Sequence, residues 1–334
     1  VIIRKRATHF AIGNNNVKAV LAAVLSLSLS IALAQPVYPS RPIHIIVPFT
    51  AGSGTDIVGR AIGEAIGRSL GQPVIIENKP GAGGSVGAAQ VARAEPDGYT
   101  LLVHSAGHAV NQAIYPNLSY DTLRDFAGVT TLANLPNVLV VPPARGWKTV
   151  RDLVAAAKAK PGELNFGSAG VGSATHMNEE KFRIKAGIEV THVPFRGTPE
   201  ALAEVMAGRI DAFFAPLVSA LPLIKEGKVQ ALAVSTPARS AALPDLPTTV
   251  EAGVPGSDYV FWVAMLAPAK TPREIVRRLN EEVVKALTAP EVKERLRSLG
   301  AEPMPMTSEA FDAFLRAEVE QATQIAKAAN LKPQ

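Results

Sequence analysis

The chain has 334 residues, with 34 Lys and Arg against 29 Asp and Glu, a formal net charge of +5, no cysteine and 5% aromatic residues. Without cysteine there are no disulfides, no thiolate chemistry and no N-terminal cysteine for a lipid anchor, and the few aromatics argue against stacking platforms for bases. Arg4, Lys5, Arg6 and Lys18 fall in the first 34 residues, which hold no acid; the remainder carries 30 basic against 29 acidic residues, a net +1 that speaks against nucleic acid as a partner.

Residues 1–34 read as an export leader: a basic start, an apolar stretch over Ala19–Leu33, and Ala32-Leu33-Ala34 as an A-x-A cleavage site, with cleavage expected after Ala34. Beyond it, short apolar runs predict strands at Ile43–Val47, Val74–Ile76, Leu101–Val103, Val138–Val141, Val190–Val193, Ala212–Phe214 and Ala231–Val234. Most do not alternate, as expected of parallel strands buried on both faces. Thr149-Val150-Arg151-Asp152 is a capping box that predicts a helix ending before Pro161-Gly162. Thr271-Pro272-Arg273-Glu274 predicts a second, with proline at the first helical position, and a last helix is expected from about Ser308 with Phe311, Phe314, Leu315 and Val319 on one face. The expected class is α/β, built from βαβ units throughout. The connectors Pro136–Pro143 and Leu243–Ser257 divide the chain into one lobe over 35–136 and 256–334 and another over 137–255, with a ligand cleft between them.

Two turns run from an apolar strand into a helix: Pro48–Asp56 (PFTAGSGTD) and Gly167–His176 (GSAGVGSATH). The first turn of a helix has unpartnered N–H groups and the positive end of the macrodipole, so two such starts aimed at one cleft make an anion receptor. Thr50, Ala51, Gly52, Ser53 and Gly54 are the candidate contacts on one side, and Ser168, Ala169, Gly170, Gly172, Ser173 and Thr175 on the other. Asp56 would repel an anionic ligand, so its expected part is to cap the helix and brace the turn, with a ligand amine as the lesser reading. Ser105, at a strand end, is a further candidate contact; Arg196 is either a cleft charge or a solvated surface residue. Phe195, Phe261 and Trp262 are cleft walls or core.

Other motifs weigh less. Gly83-Gly84-Ser85-Val86-Gly87 fits G-x-S-x-G, which raises a secreted α/β serine hydrolase using Ser85 with His176 or His192. A nucleophile elbow follows its strand directly, whereas Asn78–Gly84 intervene here. His104 and His108 have the spacing of two zinc ligands on one helix face, but Gly107 lies between them and no cysteine completes a set, so neither a metal nor a cofactor is expected.

The motifs Pro48–Asp56, Glu77–Gly84 (ENKPGAGG), Gly167–His176, Val193–Gly197 (VPFRG) and Leu243–Gly253 (LPDLPTTVEAG), in this order behind an export leader, resemble the substrate-binding proteins of tripartite tricarboxylate transporters, the Bug family. The resemblance covers essentially the whole chain after the leader. It implies a periplasmic receptor of the two-lobed type II binding-protein fold that performs no chemistry, closes as a monomer on a small organic carboxylate, and delivers it to a membrane permease. A ligand sensor partnering a signalling protein is the reading that the same residues would equally serve. The chain departs from the family in its first turn, where Ser53 stands at the usual second glycine and Gly54 follows it.

Overall fold

The computed structural model describes residues 38–328 together with residues 2 and 331, so the expected leader and its cleavage site lie outside the described residues but for Ile2. The chain divides into two compact units, 1–40 and 41–334. Within the first, only residues 2 and 38–40 are described; everything below belongs to the second.

That unit holds two sheets. Strands β1 (Ile43–Val47), β2 (Val74–Asn78), β3 (Thr100–Ser105) and β4 (Phe126–Asn134) join β10 (Trp262–Pro268) and β11 (Glu302–Pro303) in the order β11-β4-β10-β3-β1-β2. Strands β5 (Asn137–Val141), β6 (Asn165–Ser168), β7 (Thr191–Pro194), β8 (Ala212–Pro216) and β9 (Gln230–Val234) form the other, in the order β7-β6-β8-β5-β9. Helices α1 (Gly54–Leu70), α2 (Ser85–Ala92), α3 (Gly107–Ile114), α8 (Arg273–Thr288), α9 (Pro290–Ser298) and α10 (Ser308–Ala328) accompany the first sheet; α4 (Val150–Ala159), α5 (Ala174–Ala186), α6 (Thr198–Met206) and α7 (Leu217–Lys225) accompany the second. This is a two-lobed α/β fold with the cleft between the lobes.

The uniform βαβ expectation needs correction. β1 is parallel to β2 and β3, but β10 runs antiparallel to both β3 and β4. In the second sheet β6 is parallel to β7 and β8, while β5 is antiparallel to β8 and β9. The antiparallel strands are the ones through which the chain changes sheet, between Asn134 and Asn137 and again between Val234 and Trp262. The two crossings lie side by side, for Leu135 N donates to Phe261 O at 2.7 Å and Ser235 N to Asn137 O at 2.9 Å.

Strand composition explains the layers. Ile43, Ile45, Ile46 and Val47 of β1 and Leu101, Leu102 and Val103 of β3 are all buried, as both faces of a central strand require. Leu139, Phe166 and Phe214 face one helical layer of the second lobe, and Val138, Val140 and Phe213 the other.

The Thr149 box forms in full: Asp152 N donates to Thr149 Oγ1 at 3.2 Å and Thr149 N to Asp152 Oδ2 at 2.9 Å. The Thr271 box does not form. Pro272 is itself the N-cap of α8, so the helix starts one residue later than expected, and Thr271 Oγ1 is buried without a partner among the described residues. A box needs Thr271 at the N-cap, and the shift leaves its hydroxyl out of reach of the residue that would be N3. The final helix starts at Ser308 as expected, with Phe311 and Leu315 buried.

Candidate functional site

Helix starts converge between the lobes. α1 follows β1 through the first turn, with Ser53 as N-cap and Gly52 at φ 83°. α5 follows β6 through the second, with Ser173 as N-cap and Gly170 and Gly172 at φ 115° and 76°. α6 begins at Thr198 behind Gly197, and α7 behind Pro216. Ser53, Gly54 and Thr55 meet Ala169, Ser173, Ala174, Thr175, Thr198 and Pro216 around a cavity of about 10 Å³, walled also by Phe49, Ser105 and Phe261. That volume is room for about one water, so the lobes are shut.

Direct hydrogen bonds hold them so. Thr50 Oγ1 donates to Glu200 Oε2 at 3.0 Å, Thr198 N to Ser53 Oγ at 3.3 Å, Ser219 Oγ to Gly52 O at 3.1 Å and Tyr115 Oη to Val171 O at 2.8 Å. A much larger concavity, 880 Å³, is lined by residues such as Arg124, Arg273 and Asp312 of the first lobe and shares no residue with the cleft.

The distribution of N–H groups decides what the cleft can bind. In the second turn, Ala169 N donates to Thr175 Oγ1 (2.9 Å), Gly170 N to Ser168 Oγ (3.0 Å) and Gly172 N to His176 Nδ1 (3.1 Å). These three donors serve the turn itself. The N–H groups of Ala174 and Thr175, and of Gly54 and Thr55 across the cleft, precede any possible i−4 acceptor in their helices and have no hydrogen bond among the described residues. Ser105 Oγ is buried and likewise unpartnered at the same cavity.

Asp56 braces the first turn. Its Oδ2 accepts from Gly52 N (2.9 Å) and Arg60 Nε (3.0 Å), and its Oδ1 from Asn78 Nδ2 (2.9 Å). With those partners it does not line the cavity, so the bracing part of its expected role is what the geometry supplies. Histidines brace the second turn. Ser168 Oγ, which accepts from Gly170 N, is hydrogen-bonded to His192 Nε2 at 2.6 Å, and the His192 ring stacks on His176 with centroids 4.0 Å apart. Burial pushes His176 down to about 4, aided by the Arg183 charge; burial and then the His176 charge push His192 down to about 3. Both rings are neutral near pH 7, and His176 Nδ1 is the acceptor for Gly172 N.

Of the expected contacts, Ser53, Gly54, Ser105, Ala169, Ser173 and Thr175 line the cavity. Thr50 stands beside it and bonds across to Glu200. Ala51, Gly52 and Arg196 are exposed, and Ser168, Gly170 and Gly172 lie behind the cavity wall. Thr55 and Ala174, inside the two expected turns but not among the individual contacts, also line it, as the rule that the first helical residues carry the unpartnered N–H groups implies; Thr198 was missed. Of the three aromatics, Phe261 is a cleft wall, Trp262 is core with Nε1 on Glu318, and Phe195 packs on the second-lobe core.

The hydrolase geometry is not assembled at Ser85. That residue begins α2 behind the short 3₁₀ turn Ala82–Gly84, and no hydrogen bond joins it to a histidine among the described residues. Ser168 does have a histidine, but its hydroxyl is fully buried and turned to the brace rather than to the cavity. The His104 and His108 rings lie 5.0 Å apart, tilted at 40°, and no group of three metal-ligating residues occurs among the described residues.

The family described as "Tripartite tricarboxylate transporter family receptor" matches residues 58–331. The chain belongs to that family. Among solved structures, this receptor is similar to a Rhodopseudomonas palustris protein with adipate (35% identity, 89% of this chain and 100% of the other, TM-score 0.86). It is also similar to MatC of Rhodopseudomonas palustris with bound malate (34%, 86% and 99%, TM-score 0.82) and to the periplasmic binding protein BugD (32%, 89% and 100%, TM-score 0.85). The receptor therefore has the fold of the periplasmic binding proteins, and these similar proteins are solute receptors.

Proposed function

We propose that this receptor captures a small organic carboxylate in the periplasm and hands it, as a monomer, to the permease of a tripartite transporter, without turning it over. The observation that carries the reading is a cavity lined by Gly54, Thr55, Ala174 and Thr175, whose N–H groups at the starts of α1 and α5 have no partner among the described residues, and by Ser105 with its unpartnered hydroxyl. Such a site binds negative charge with dipoles and hydrogen bonds rather than with a formal cation. The similar proteins holding adipate and malate support the class of ligand.

In this reading the ligand-holding residues are Ser53, Gly54, Thr55 and Ser105 on one wall and Ser173, Ala174, Thr175 and Thr198 on the other, with the lobes divided near Pro136 and Ser257. Export by the leader, with release after Ala34, places the protein beside its permease. A thermal-shift series over mono-, di- and tricarboxylates tests the function. A ligand at 100 times its Kd adds about 2.7 kcal/mol, so a few acids should raise the melting temperature, and uniformly flat melts would refute the proposal.

A further inference from the structure

One acid of the second lobe reaches the first turn. Glu200 is the third residue of α6, and its Oε2 takes the Thr50 hydroxyl at 3.0 Å across the cleft. Thr50 Oγ1 is in turn 3.4 Å from Ser53 Oγ, the atom that receives Thr198 N. Thr50, Ser53, Thr198 and Glu200 are therefore linked across the cleft at the start of α1, beside the cavity that Ser53 and Thr198 line. Glu200 is partly buried, and no ion pair neutralises it among the described residues. Its charge is held where the α6 dipole favours it. A protein carboxylate thus already occupies the hydroxyl that a second ligand carboxylate would use at this end.

We infer that Glu200 is a specificity-determining residue that excludes a second carboxylate from the Thr50 end of the cleft, so that the receptor takes monocarboxylates in preference to dicarboxylates of the same chain length. The inference rests on the proposed carboxylate function; the neighbours solved with adipate and malate hold dicarboxylates, so matched mono- and dicarboxylates test it directly. Like charges a few ångströms apart in a partly desolvated cleft repel strongly enough to separate the two ligand classes by an order of magnitude. A carboxylate that only stiffened the closed state would instead act on every ligand alike.

Calorimetric titration of wild type, Glu200→Gln and Glu200→Asp with the matched pairs hexanoate and adipate, and butanoate and succinate, separates the two roles. The expected result is a wild-type preference for the monocarboxylate of each pair that binds. Glu200→Gln, which keeps an acceptor for Thr50, should shift the ratio about 10-fold toward the dicarboxylate, and Glu200→Asp should keep the wild-type ratio. Equal changes for both members of a pair, or a wild-type preference for the dicarboxylate, would overturn the inference while leaving the carboxylate function standing. Binding of neither member by wild type, together with flat melts over the wider acid series, would overturn both.

Discussion

Gly197 offers a direct test of whether the closed cleft is what binds. Its backbone is extended, at φ −175° and ψ −179°, so alanine is conformationally acceptable there. A Cβ at this position would stand 2.0 Å from Thr50 Oγ1 and 2.7 Å from Ser53 Oγ, both on the opposite lobe. Gly197→Ala therefore holds the walls apart by more than an ångström at this point, which breaks the Thr50–Glu200 and Thr198–Ser53 bonds. A hydrogen bond to a charged group contributes about 1.5–3 kcal/mol and a neutral one about 0.5–1.5 kcal/mol. The closed state should lose about 2–4.5 kcal/mol, or roughly 30- to 1,600-fold in affinity at 1.4 kcal/mol per decade. The unliganded protein can relieve the clash by opening, and the substitution lowers unfolded-chain entropy by about 0.4–1 kcal/mol. The urea midpoint without ligand should therefore stay close to that of wild type. Isothermal titration with a carboxylate identified by thermal shift, paired with small-angle scattering, reads both effects. Wild-type affinity with a normal ligand-induced compaction would refute the claim that the two turns must meet around the ligand.

Gly107→Ala probes the same motion from the other side: its Cβ would lie 2.9 Å from Gly172 O and 3.1 Å from Ser173 Cα, so titration should show weaker binding, while helix propensity gives up to about 1 kcal/mol of added stability in urea. Asp56→Ala leaves Gly52 N and the Asn78 amide without their buried acceptor and should cost about 3–5 kcal/mol by chemical denaturation; an unchanged midpoint would rule out the brace. Ser105→Ala removes an unpartnered buried hydroxyl, so its urea midpoint should hold or rise while carboxylate affinity falls by about 10-fold in calorimetry. Stability should also fall below pH 6.5. His104 and His192 are pushed down to about 3 and His176 to about 4, chiefly by burial, so the unfolded chain takes up protons that the folded one refuses. Each costs up to about 2 kcal/mol at pH 5. Glu179, raised well above its usual range by burial, runs the other way and offsets part of this. Urea midpoints that stay level from pH 7 to pH 5 would contradict the neutral rings.

The sequence was most legible where local chemistry decides structure. The Thr149 box, the apolar run of β1 and the glycines of both turns read directly, because capping, burial on two faces and positive φ each leave a residue signature. β4 and β10 did not. Gly128, Thr130 and Thr131 interrupt the apolar run of β4, and Trp262–Pro268 owes its place to antiparallel pairing with strands distant in sequence. At the site, the small residues marked the two turns but not which N–H groups were already spoken for. That assignment depends on Asp56, His176 and Thr175 folding back onto their own turns, which composition does not reveal. Glu200 stood outside the motifs because its partner Thr50 is 150 residues away.

The paired crossings carry a consequence for how this chain can be taken apart. Val138 and Val234 are register partners, so everything between them leaves and re-enters along adjacent strands. In topological terms the second sheet is an insertion, with its two ends already at hydrogen-bonding distance. A short linker could join those ends, or the stretch could be exchanged for the corresponding one of a relative, without rethreading the remainder. Because both lobes wall the cleft, such an exchange would replace the Ser173–Thr198 wall and leave the Ser53–Ser105 wall in place.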